Sequence, residues 1–122
     1  MTRKIIFAAP LLAVMLAAAD PSVAQARKDL AAKKYDEAIT ALEAAHKKNP
    51  KAADVQKTLV EALVAKGDSF MYSQELPPRM KYPGALKAYR QALSIDKSNK
   101  KAQENIAAIE NIYKSMGRPV PQ

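Results

Sequence analysis

The sequence predicts an all-α fold of stacked helix–turn–helix repeats: two repeats, the second carrying an insert, closed by a C-terminal capping helix. Three observations predict it. One pattern of large and small residues occurs twice, as Tyr35, Ala38, Leu42, Ala45 and again as Tyr82, Ala85, Tyr89, Ala92. Apolar residues elsewhere recur at helical spacing, and no stretch alternates with the period of a strand. Gly, Pro and Asn fall between these periodic segments, where helices stop.

The chain begins with the three-part layout of a secretory leader. Arg3 and Lys4 are basic, Ile5 to Ala19 is apolar apart from Pro10, and Ser22-Val23-Ala24-Gln25-Ala26 offers small residues for cleavage after Ala24 or Ala26. The apolar run is short for a membrane span, which needs about 20 residues. The expected division is therefore 1–24 as signal peptide, 25–116 as repeat domain and 117–122 as a frayed tail, with no stable membrane span after cleavage. This layout suggests a bacterial protein, periplasmic or secreted. The absence of cysteine removes disulfides, thiol nucleophiles and thiolate metal sites, so stability must come from helix packing.

The elements follow in order. Gln25 to Lys33 reads as a short helix with Ala26, Leu30 and Val23 toward one face. Tyr35 to Lys48 reads as a helix whose stripe is Ala38, Leu42 and Ala45, stopped by Asn49-Pro50. A third helix starts near Ala53. Gly67-Asp68 would ordinarily stop it, but Phe70 stays in phase with Leu63 and carries the helix to about Glu75. The segment from Leu76 to Gly84 is the main break, and Pro83 suits the first position of the fourth helix. That helix ends near Asp96. Ser98 or Asn99 caps a fifth, with Ala102, Ile106, Ile109, Tyr113 and Met116 on one stripe and Gly117 as its stop.

Taken together, Tyr35, Ala38, Leu42, Ala45 and Pro50, then Leu59, Val60, Leu63, Gly67, Tyr82, Ala85, Tyr89 and Ala92, resemble the tetratricopeptide repeat family. Physically, the alanines let helix backbones approach, and Leu42 and Tyr89 fill the space beside them. The sequence departs from the family in two ways. The second copy follows after 47 residues rather than about 34, which places an insert between Asp68 and Tyr82. Ser22, Gln25 and Asp29 also make the first helix weakly apolar, so the array is open at that end or covered by a second copy as a homodimer.

No catalytic constellation is present. His46 is the only histidine and has no second ligand at metal spacing. The carboxylates are dispersed, and no glycine-rich loop could hold phosphate. No cofactor or metal is implied.

The resemblance implies a concave groove lined by the first helix of each repeat. Its candidate residues are Arg27, Asp54, Lys57, Glu61, Val64, Lys101 and Glu104. Some family members clamp a peptide carboxylate with lysine and asparagine, but Arg27 and Glu61 stand at expected asparagine places, so that clamp is not carried over. Met71, Tyr72 and Met80 form a second candidate, an apolar anchor in the insert, whereas Phe70 and Tyr82 are expected to be buried. The expected function is non-enzymatic binding of a protein or peptide segment, as an adaptor, scaffold or assembly factor of the bacterial envelope. The alternative is binding to an anionic polymer or membrane surface, driven by a net charge of +8, or +7 without Arg3, Lys4 and Asp20. Nucleic acid is disfavoured, because no aromatic residues interleave with a basic stripe.

Overall fold

The computed structural model describes residues 20–122, which form five helices in the order α1 Pro21–Ala31, α2 Tyr35–Lys48, α3 Ala53–Met71, α4 Pro78–Ile95 and α5 Lys100–Ser115. No strand occurs among the described residues. The fold is all-α and of tetratricopeptide-like helical-repeat type. Consecutive helices pack on one another, and α1 also reaches α3. The pairs α1–α2 and α3–α4 are the two repeats, and α5 covers α4. The expected leader, residues 1–24, lies outside the described residues as far as residue 19.

α2 has the bounds its pattern predicts. It lacks a side-chain N-cap, but Asp36 and Glu37 lie in its first turn and Lys47 and Lys48 in its last, matching the helix dipole at both ends. α1 begins earlier than expected, at Pro21 rather than Gln25. Asp20 caps it by accepting a bond from the Ser22 backbone N–H at 2.9 Å, and Pro21 takes the first helical position. Val23 and Ala26 are buried, so this weakly apolar helix still contributes two residues to the core. The turn to α2 passes through Lys33 with φ of 60°, the left-handed conformation that usually favours glycine.

α3 is the central helix. It buries Val55, Leu59, Ala62 and Leu63 almost completely, each of the larger side chains stabilising by roughly 1.5–3 kcal/mol. Thr58 is also buried, and its hydroxyl donates to the Asp54 carbonyl at 2.7 Å. As expected, the helix passes through Gly67, but the reason is packing. A Cβ there would lie 2.5 Å from Tyr89 Cε1, so the bare backbone is a notch for the ring. α3 then ends at Met71, short of the expected Glu75.

The fourth helix differs more. Pro78, not Pro83, is its first residue; Pro77 is the N-cap and Pro83 lies inside the helix. Pro83 offers no N–H to the carbonyl one turn back, at Arg79. Gly84, just after it, repeats the device of Gly67, for a Cβ there would lie 2.8 Å from Phe70 Cδ1. The insert is thus largely regular structure. It lengthens α3 to Met71 and starts α4 at Pro78, leaving only residues 72–77 as connection.

α5 is capped by Asn99, whose side chain accepts from the Ala102 N–H at 2.9 Å. It ends with Gly117 at φ of 65°, a left-handed stop. The last residues do not fray as expected. Val120 packs against the core, and Arg90 Nη1 donates to the Pro121 carbonyl at 2.8 Å.

The two notches should respond unequally to a methyl group. Gly67→Ala is expected to destabilise by about 1–3 kcal/mol, because the buried Tyr89 ring cannot retreat. That outweighs the roughly 1 kcal/mol that alanine gains over glycine in a helix. Gly84→Ala should cost less, since Phe70 is only half-buried. Urea unfolding followed by far-UV circular dichroism would rank them.

Candidate functional site

The inner face of the stack is made by α1, α3 and α5. Its helices are joined by polar contacts that keep repeat register. The Asp20 N–H donates to Asp54 Oδ2 at 3.1 Å and Arg27 Nη1 pairs with Glu61 Oε2 at 3.3 Å, and each pair is 34 residues apart in sequence. Both sites of the second pair are well exposed, at 56% and 41%. Such a pair contributes little to stability, about 0–1 kcal/mol; it mainly occupies charges that a ligand would otherwise meet.

Farther along α3, Asp68 is a hub. Its Oδ1 accepts from the Tyr89 hydroxyl at 2.6 Å, and its Oδ2 pairs with Lys101 Nζ at 2.5 Å. Asn105 Nδ2 donates to Tyr89 Oη at 2.9 Å, and the Tyr72 hydroxyl reaches Asn105 Oδ1 at 3.5 Å. One carboxylate therefore ties α3, α4 and α5. Burial first, and then the Asp68 carboxylate, raises the pKa of Tyr89. The hydrogen bond to Asp68 raises that of Lys101.

Between the hub and the N-terminal end of α3 the face opens. A cleft of about 390 Å³ is lined by Gln56, Lys57, Val60 and Glu61 of α3 and by Ile95, Asp96 and Asn99 at the α4–α5 turn. Lys57 is exposed and forms no ion pair among the described residues.

The structure thus brings Arg27, Asp54, Lys57 and Glu61 together across α1 and α3, as the repeat pattern implies. Lys101 faces α3 but is engaged by Asp68, and Glu104 is exposed on α5. Val64 is mostly buried, at 8% exposure, and packs into the core rather than lining the cleft described above. Of the insert anchor, Tyr72 and Met80 are exposed at 61% and 55%, but Met71 is not available. Its half-buried side chain turns inward, with the sulfur 3.6 Å from Tyr89 Oη. Phe70 and Tyr82 are partly buried as expected, and Tyr82 meets Tyr113 edge-on at 6.4 Å. His46 is half-buried at the outer side of the stack, beside Glu43, Lys47 and Pro50.

Sequence reasoning missed Asp68 and Asn105 as partners, and Ile95 and Asn99 as cleft residues. A signal for the first existed: a tyrosine on a buried stripe needs an acceptor for its hydroxyl. The cleft residues come from a turn between helices, outside the periodicity that identifies a helix face.

No group of three or more His, Cys, Asp or Glu could hold a metal ion among the described residues, and no described helix is long and apolar enough to cross a membrane.

The hub makes a pH prediction. Tyr89 and Lys101 both hold their protons more tightly in the folded state, so their contribution is complete below about pH 10 and lost as the pH rises beyond it. Tyr89→Phe is expected to cost about 1–2 kcal/mol near neutrality. Its melting temperature should also fall less steeply than that of the native protein from about pH 9 to about pH 11.

Neither curated proteins nor solved structures include a match to the chain. Residues 29–69, from the end of α1 through α2 and most of α3, match the model of the tetratricopeptide repeat family, whose repeats generally mediate protein–protein interaction.

Proposed function

We propose that this chain is an exported, non-enzymatic protein-binding module of the bacterial cell envelope. It would act as an adaptor or assembly factor that holds a peptide or protein segment along the α1–α3–α5 face. The observation that carries this reading is the cleft beside Lys57, open on the inner face of a repeat fold whose relatives bind proteins. Two ion pairs of that face, Arg27–Glu61 and Lys101–Asp68, already occupy four of its charges. Lys57 is the exposed cation left at the cleft, facing Asp96 across it, so a polar segment that offers an acceptor to Lys57 and a donor to Asp96 suits it, with Ile95 adding apolar surface. Export is supported by the sequence of the leader, basic and then apolar and then small.

Photo-crosslinking residues placed at Lys57 and at Met80 in living cells test the reading. A single exported protein trapped at Lys57 is the expected outcome. Lys57→Glu should then weaken that partner by about tenfold, or 1.4 kcal/mol, with stability changed by less than about 0.5 kcal/mol. Adducts only to lipid or polymer, with binding that falls steeply as salt rises, would overturn it in favour of charge-driven adhesion.

A further inference from the structure

We infer that the leader is removed between Ala19 and Asp20, so that the mature protein begins at the N-cap of α1; this rests on the export reading above. Three observations point there. The first is that α1 has no spare residue at its start. Asp20 caps the helix through the Ser22 N–H, Pro21 occupies the first position, and Val23 is 7% exposed. Cleavage after Ala24 would strip the cap, the first turn and Val23, and cleavage after Ala26 would also take the fully buried Ala26.

The second is that Ala26 has a structural role which explains it without a protease. Ala26 is fully buried in the core, where a larger side chain would not fit without displacement, while Ala24 lies exposed on α1. Ala17-Ala18-Ala19 supplies the same small-x-small pattern at the end of the apolar run.

The third is the geometry of the new end. The Asp20 backbone nitrogen lies 3.1 Å from Asp54 Oδ2. Hydrolysis by an endopeptidase selective for small residues adds water across the Ala19–Asp20 amide. The C–N bond breaks, Ala19 keeps a carboxylate and Asp20 gains an α-amine that protonates. The resulting ammonium would sit at the positive end of a helix, which is unfavourable in isolation. Here Asp54 supplies a carboxylate already within hydrogen-bonding distance, and the Asp20 side chain adds a second.

The test is N-terminal sequencing and intact mass of the full chain, expressed with a C-terminal tag in a bacterial host and recovered from outside the cytoplasm. A single species starting at Asp20 is expected. Ala19→Tyr should abolish that species and accumulate precursor, whereas Ala24→Tyr, on an exposed site, should leave the Asp20 start unchanged. A start at Gln25 or Arg27 would overturn the cleavage point while leaving export intact. Uncut chain confined to the cytoplasm would overturn export itself.

Discussion

The stack hangs on how one aromatic ring meets one bare turn of helix. Tyr89 is fully buried with its ring against Gly67, where no Cβ could fit, and its hydroxyl bonds the Asp68 carboxylate next to that glycine. The two contacts serve different ends. The glycine sets the depth of approach between α3 and α4, since only an absent side chain lets a ring lie on a backbone. The hydrogen bond fixes the position of α4 along α3, because a phenol reaches its acceptor at one register. Asp68 then extends the constraint to α5 through Lys101, so the cap is placed by the same carboxylate.

The extension of the second repeat uses the same device one helical segment farther on. Gly84 of α4 receives Phe70 of α3, the reciprocal of Gly67 of α3 receiving Tyr89 of α4. Each helix thus gives one notch and one ring, and the pair is held at two levels. This accounts for how α4 tolerates Pro83. The missing N–H lies near the N-terminal end of the helix, where few backbone bonds depend on it, and the adjoining Gly84–Phe70 contact supplies packing. Tyr72, just past the end of α3, and Met80, in the first turn of α4, are exposed, so the insert adds surface at one end of the stack without leaving a long irregular loop.

Much of this was legible in the residues. The bounds of α2, the small positions Ala38, Ala85 and Ala92, and the Asn99 cap all follow from local pattern, since spacing and capping depend on neighbours in sequence. Gly84 and Pro83 were harder. Both read as punctuation, yet Gly84 is a contact with a ring on another helix, and proline at an interior position is allowed only by what surrounds it. The start of α1 was obscured for a related reason. A run of small residues reads as a cleavage region, and although Val23 and Ala26 fall on one face by spacing, how deeply they are buried depends on α2 and α3. The groove charges were legible as a face, but their mutual pairing was not. Arg27 and Glu61 meet because 34 residues is one repeat, a relation visible only when the helices are superposed on that period.

That pairing shapes what the inner face can recognise. A groove with every charge free would attract ions of either sign and discriminate little. Here Arg27 and Glu61 largely cancel, and Asp68 occupies Lys101. What remains at the opening is Lys57, with the Asp96 carboxylate on the opposite wall. On the reading proposed above, selectivity would depend on how a ligand places its charged and apolar groups against this opening. The excess positive charge elsewhere acts at longer range. A field of that kind speeds encounters with oppositely charged molecules in a salt-dependent way and contributes less to a bound state. On that same reading, attraction would be spread over the surface lysines and recognition confined to the cleft beside α3.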